Sequence, residues 1–404
     1  MSNPLNRKMK NGASLFIVAN LLLLAGLSCT RHDGDPGAEN PADSVLNSSG
    51  IRYAKGFTIE QFDDYKRITV HNPWQGAQDI DIQYYLVSEG KVPEGVPENA
   101  RVIKTPVRRI ICMSTTHIGM LDFIDKLETL VGISGKMYIN NPWVKDQLAR
   151  DRITDIGYEQ NIQYEELITL KPDLVMTYGI GSEVAGYVNK LQEVGIPVII
   201  NGDYIEQTPL AKAEWVKVVA ALYEMDDTVN KKFERVVEEY RKVKMLATDV
   251  TARPKVMIGL PWKDTWYIPG GNSFAANFIR DAGGSYIWED KHSVEAIPFN
   301  IEAVYEAAKD ADIWINPGIA ASLEDIVSVD ERLVNFKPVR VGSVYNNNRI
   351  LNKQGGNDYW ESGIMNPQKI LMDLIKIFHP GLLPDHQLVY YQKIEAGDQL
   401  IQLY

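Results

Sequence analysis

Between Asp226 and Leu246 apolar residues recur at threes and fours: Val229, Phe233, Val236, Val237, Tyr240, Val243 and Leu246, with charged residues filling most other positions. That period predicts an amphipathic helix, roughly 30 Å long at about 1.5 Å per residue. Asp226 or Asp227 can cap its start, Lys242 and Lys244 suit the negative end of its dipole, and neither Gly nor Pro interrupts it. On either side of it, short apolar runs alternate with helical patterns. Before it, strands are predicted at 109–113, 129–133, 153–155, 173–176 and 197–200, with helices at 116–127, around 164–170 and at 182–193. After Thr208 and Pro209 one helix is expected to about Glu224. Beyond the long helix, strands are predicted at 255–260, 312–315 and 339–344, a hairpin-like run at 265–268, and helices at 273–282, 301–309, 323–334 and 367–378, with a tail strand near 388–394. Strands alternating with helices at this pace imply parallel pairing through crossover helices.

The two flanks resemble each other. Residues 164–179 and 301–318 each open a short helix with a glutamate, Glu165 or Glu302, then break, start a strand at Asp173 or Asp312, and end in a loop holding Gly179 or Gly318. A duplicated α/β unit is the economical reading. The expected fold is therefore α/β: two Rossmann-like lobes joined by one long rigid helix. From 51 to 105 the period shortens to two, clearest at 65–71 and 80–87, and predicts a small N-terminal β meander punctuated by Pro93 and Pro97.

The chain begins differently. Arg7, Lys8 and Lys10 precede an apolar run at 15–27 that stops at Ser28 and Cys29, the charged, greasy and small-residue regions of a signal peptide. A small residue before cysteine resembles the lipobox of bacterial lipoproteins, although Gly26 stands where leucine is usual; the resemblance implies a lipid on Cys29. Residues 30–50 are Gly, Pro, Asn, Asp and Ser with little to bury, and read as a tether. The expected division is signal peptide 1–28, lipid-anchored tether 29–50, meander and first lobe 51–205, helical connector 206–252, and second lobe with a C-terminal helix and tail 253–404. The chain is then exported and held at a bacterial membrane, facing the periplasm or cell exterior.

Composition narrows the partners. With 404 residues, 45% hydrophobic, the chain is long enough for two ordinary domains, and a formal charge of −11 argues against nucleic acid, whose phosphates need a basic face. If Cys29 carries lipid, Cys112 is the sole remaining thiol and no intramolecular disulfide can form. The six histidines show no metal-ligand spacing, so no protein-held metal and no cofactor is expected. Gly179, Ile180 and Gly181 open like a dinucleotide fingerprint, but Val184 stands where its third glycine belongs, which leaves a tight turn at a cleft edge. There is no phosphate-binding loop and no nucleophile elbow.

Four phrases carry a specific resemblance: 106–113 followed by a Thr/His helix start, 170–175, 195–198, and Pro269-Gly270-Gly271-Asn272-Ser273. In that order and spacing they resemble the periplasmic binding proteins of importers for iron siderophores, haem and cobalamin, over about residues 108–378. The resemblance implies a metal-chelate receptor that is not an enzyme: a monomer holding its ligand between the lobes and passing it to a permease dimer with ATPase subunits. It also implies that Glu165 and Glu302, one per lobe, dock on the permease.

Candidate ligand contacts follow from where loops leave the strands. His117 lies in the first turn of a helix after a strand, where it can touch ligand or serve as a hydrogen-bonded structural histidine. Tyr158, Tyr178, Trp262, Trp266, Tyr267, Tyr359 and Trp360 would bury a large planar ligand, with about half expected in contact and the rest in the core, and Lys263 and Lys353 can offset an anionic chelate. Two other readings stand beside this one: an exported α/β enzyme acting on a cofactor-like substrate in the same cleft, and a sensor or interaction lipoprotein.

Overall fold

The computed structural model describes residues 47–48, 50–90, 92–158, 161–179 and 183–396, all within the compact unit Asp43–Tyr404. The signal segment, Cys29, the tether up to residue 46, and Ile180 with Gly181 lie outside the described residues.

Five strands make the N-terminal sheet: β1 (Asn47–Ser48), β2 (Phe57–Gln61), β3 (Lys66–His71), β4 (Asp81–Ser88) and β5 (Arg101–Thr105), side by side in that order. The first four pair antiparallel, as a meander should. β5 departs from that expectation: it runs parallel to β4, from Tyr84 opposite Arg101 to Ser88 opposite Thr105. The connection at 89–100 is long enough to carry the chain back along the whole strand, which a tight hairpin cannot do. Alternation gives the sheet two apolar faces. Phe57, Ile68, Val70, Tyr84 and Ile103 join the main core, while Phe62, Tyr65, Tyr85, Val87 and Val96 form a separate small cluster.

The first lobe is a parallel sheet of β6 (Ile110–Cys112), β7 (Leu130–Ile133), β8 (Thr154–Asp155), β9 (Leu174–Thr177) and β10 (Val198–Ile200), ordered β10-β9-β6-β7-β8. Four α-helices cover it, at Thr115–Phe123, Pro142–Ala149, Tyr164–Thr169 and Glu183–Glu193. The second was missed in the sequence because its period is weak. Local chemistry makes it: the Asn141 side chain accepts from the Val144 amide and Pro142 fills the first turn.

The connector opens with two short helices, Pro209–Glu214 and Val216–Leu222, rather than one helix to Glu224; the break falls at Trp215. The long helix then spans Asp226–Leu246, the predicted bounds. Val229, Phe233, Val236, Val237 and Tyr240 are its buried stripe, whereas Leu246 is exposed at its last position. It is tied to both lobes. Lys232 donates to the Phe123 carbonyl of the first, and Tyr240 donates to Asp281 of the second at 2.8 Å. Two buried glutamates of the connector also hold an N-terminal arm, residues 50–56. Glu214 accepts from the amides of Arg52, Tyr53 and Ala54 and from Lys217, and Glu206 accepts from the amides of Lys55 and Gly56 and from the Trp215 indole.

The second lobe holds β11 (Lys255–Ile258), β12 (Trp266–Pro269), β13 (Ser285–Tyr286), β14 (Ala296–Phe299), β15 (Ile313–Ile315), β16 (Val344–Asn346) and β17 (Gln392–Lys393). Its sheet is ordered β13-β11-β15-β16-β17, parallel except for β17, and β12 with β14 forms a separate antiparallel pair. Two expected elements are shorter or different. The helix from Leu323 stops at Val329 before a 3-10 turn, and 337–340 is a helical turn with Pro338 at its start, so the strand begins only at Val344. The tail is pinned by Asp373, fully buried, which accepts from the amides of Val389, Tyr390 and Tyr391 and from His386.

The internal repeat has a structural counterpart. Asp173 accepts from the amides of Arg108 and Arg109 at the start of β6, both at 2.9 Å, and Asp312 accepts from the Lys255 amide at the start of β11 at 2.8 Å. Each lobe thus uses the aspartate that opens one strand to fix the start of its neighbour.

Candidate functional site

Ligands of open α/β sheets bind beyond the carboxyl ends of the strands. The amino ends here face the connector: the Val107 amide donates to the Leu222 carbonyl, and Thr129 meets the Tyr223 hydroxyl at 2.7 Å. At the opposite, carboxyl ends lies a pocket of about 210 Å³ that both lobes line. The first lobe supplies Ser114 and Thr115 after β6, Ser134 and Tyr138 after β7, Tyr158 after β8 and Tyr178 after β9; the second supplies Gly355, Gly356, Asn357 and Trp360. A larger groove of about 870 Å³ runs between β4 and β5 and residues 192–198. It borders the amino end of β10, so the smaller pocket is the better candidate.

Among the described residues, none that lines the pocket carries a formal charge. Its wall is hydroxyl groups, an amide and four aromatic rings, with Tyr138 and Tyr158 tilted together at 5.2 Å between centroids. Such a wall holds a flat, largely uncharged surface and offers hydrogen bonds around its edge.

The lobes touch directly beside it. Asn352 of the second lobe donates its side-chain amide to the carbonyls of Met137 and Ile139, each at 2.9 Å, and Glu361 accepts from the amides of Asn140 and Asn141 at 2.7 and 2.5 Å. Gly356 must be glycine for this approach, since a Cβ there would sit 2.3 Å from the Tyr138 carbonyl oxygen. Burial pushes the Glu361 carboxyl up to about 7, against the pull of the two amides.

The structure separates the candidate residues. Tyr158, Tyr178 and Trp360 line the pocket. His117 does not: it is fully buried under the helix start, its ring near the Met176 backbone without a well-formed hydrogen bond, and burial pushes its pKa down to about 3, so it is neutral. Trp266 is also core, packed on Trp314 and Phe336 with its indole donating to the Ile258 carbonyl. Tyr359 is buried against Tyr390 and Tyr391 and supports Trp360 edge-on at 4.7 Å. Trp262 and Tyr267 are exposed outside the pocket, at 64% and 52%, and the Lys263 ammonium lies 4.3 Å over the Trp262 ring. Lys353 is exposed and stands outside the lining. Glu165 and Glu302 are both exposed, but only Glu302 has an ion pair among the described residues, with Arg332 at 2.6 Å. Sequence reasoning passed over Tyr138, Ser134 and Asn357. Tyr138 sits in the short 3-10 turn Lys136–Tyr138, and Ser134 and Asn357 in loops, none of which has a hydrophobic period to reveal it.

Comparison with known proteins places the chain in a family and shows its fold. The chain is 27% identical over 365 residues to an uncharacterized lipoprotein of Methanocaldococcus jannaschii, covering 85% of each. Its fold is similar to an iron-binding (periplasmic solute-binding) protein from Staphylococcus epidermidis, described as a possible one, with a TM-score of 0.53 at 16% identity over 68% of this chain and 99% of that one. A periplasmic heme-binding protein from Roseiflexus matches with a TM-score of 0.50 at 19% identity, over 68% and 99%. The family profile described as periplasmic binding protein matches residues 110–346, from β6 to the end of β16, and the chain belongs to that family.

Proposed function

We propose that this protein is the substrate-binding lipoprotein of an ABC importer: it captures a metal chelate between its lobes and delivers it to a membrane permease driven by ATPase subunits. An iron–siderophore complex is the first choice of ligand, then cobalamin or haem. The observation that carries the reading is the pocket at the carboxyl ends of the first-lobe strands, closed by the second lobe and lined by Tyr138, Tyr158, Tyr178 and Trp360. Aromatic faces bury the organic shell of a chelate, and the hydroxyls meet its polar edge, so the metal needs no protein ligand. Among the described residues no group of three or more His, Cys, Asp or Glu is placed to hold a metal ion directly. A chelate larger than the pocket extends over Trp360, 43% exposed at its edge.

Titration of the protein with cobalamin, haemin, a ferric tris-hydroxamate and a ferric tris-catecholate, followed by tryptophan fluorescence, tests this. Saturable quenching by one of them with the ligand recovered intact is expected. Chemical conversion of the ligand, or no saturable response to any of the four, would overturn the assignment.

A further inference from the structure

The N-terminal sheet lies before the family match at 110–346, yet one of its turns packs against Gly179, beside the pocket-lining Tyr178. Between β3 and β4 the chain makes a braced turn: the Asn72 amide donates to the Ile80 carbonyl at 2.7 Å, and the Ile80 amide donates back to the Asn72 side chain at 3.2 Å. Asn72, Gly76 and Asp79 all take positive φ there, so the turn has one well-defined shape. Its Trp74 forms a parallel bridge with Gly179, two residues past the end of β9 and next to the pocket-lining Tyr178. The approach is as close as two backbones allow. A Cβ on Gly179 would lie 2.8 Å from the Pro73 carbonyl oxygen and 3.1 Å from the Trp74 Cβ. Tyr204, on the turn after β10, completes the junction: its hydroxyl donates to the Gly179 carbonyl and accepts from the Gln75 amide at 3.1 Å. Trp74 and Tyr178 pack against the same apolar cluster of the first lobe.

We propose that the 72–80 turn is a specificity-determining part of the ligand site, in which Trp74, Gln75 and Tyr204 fix Gly179 and thereby set the position of the Tyr178 wall. The proposal rests on the reading of the pocket as the ligand site. The lobes supply the general cleft, and the added sheet trims one side of it to a particular ligand. Trp74 and Tyr204 are positioning residues: they act on ligand through Gly179 and Tyr178.

Two variants test this. Tyr204→Phe removes only the bridging hydroxyl, and Trp74→Ala removes a ring that packs on the same apolar cluster as Tyr178. Hydrogen exchange of the ligand-free, full-length protein should quicken in the peptide covering 174–179 by about fivefold for Tyr204→Phe, the loss expected for one hydrogen bond. The helix Asp226–Leu246 serves as an unchanged internal reference. The ratio of dissociation constants for the two best probes among cobalamin, haemin, the ferric tris-hydroxamate and the ferric tris-catecholate should also shift by about fivefold, which a purely structural loss would not do. Exchange in 174–179 equal to wild type overturns the proposal, and so does faster exchange with an unchanged affinity ratio. Should the wild type bind no probe, the capture reading fails and the specificity role falls with it, while the exchange comparison still decides whether the turn fixes Gly179.

Discussion

Glu361 of the second lobe holds Asn140 of the first by a carboxylate-to-amide hydrogen bond of 2.7 Å, where the lobes meet beside the pocket. Glu361 is 2% exposed, and its second oxygen takes the Asn141 amide just before the helix Pro142–Ala149. A helix start favours a negative charge, while burial opposes it, and burial dominates.

Stability should therefore depend on pH through Glu361. Its folded pKa, about 7, lies above the ordinary glutamate value of 4.5, so the native state binds the proton more tightly than the unfolded chain. The stabilisation is fully present below the unfolded value and is lost as pH rises through about 7. Urea midpoints measured from pH 4.5 to 8 should fall with rising pH, and Glu361→Gln should flatten that slope. A Gln variant with the wild-type slope would show that another group titrates.

Ligand binding should move the lobes little. The helix Asp226–Leu246 has no Gly or Pro at which to bend, and Asn352 and Glu361 bridge the lobes directly beside the pocket. Small-angle scattering curves with and without ligand should superimpose. A clear drop in radius of gyration would mean that these contacts form only on closure.

Docking on the permease is expected to use Glu165 and Glu302. Replacing both by Ala should leave ligand affinity unchanged and abolish uptake by whole cells. The two sites are not equivalent, because Arg332 already engages Glu302 and holds its pKa below the ordinary value. Arg332→Ala frees that carboxylate and should retain transport. A double glutamate variant that transports normally would refute the role.

We propose that Cys29 carries the lipid anchor, so Cys29→Ser should release the protein from membranes into the soluble fraction. Detergent phase partitioning reads this directly, and continued recovery in the detergent phase would place the anchor elsewhere.

The sequence showed the frame of this molecule more clearly than its site. A 21-residue helix with one apolar stripe is legible because its period repeats through several turns, and it appears with the predicted bounds. The paired motifs around Asp173 and Asp312 were legible for the same reason, as a pattern seen twice. The direction of β5 was not, since Arg101–Thr105 alternates in the same way whether parallel or antiparallel to β4. Nor does a period tell which aromatic after a strand turns inward. Trp262 and Trp266 are four residues apart, yet one is 64% exposed and the other fully buried on Trp314. The bridge from Asn352 to Met137 joins residues 215 apart, which no local pattern encodes.

The buried glutamates that hold residues 50–56 impose an order on folding. The Arg52 amide and Glu214 are 162 positions apart, so the arm leaves the ribosome long before its partner exists. Until then the apolar face around Phe57 has no Trp215 to close on, because that residue, whose ring lies 4.7 Å from that of Phe57, arrives with the connector. The N-terminal sheet must wait for the connector, and the non-local closure is slow by nature. A chain stalled before residue 206 would present an open sheet to a holdase, whereas one extended past Leu222 can bury it; the connector is the point of commitment in maturation as well as the bridge between the lobes.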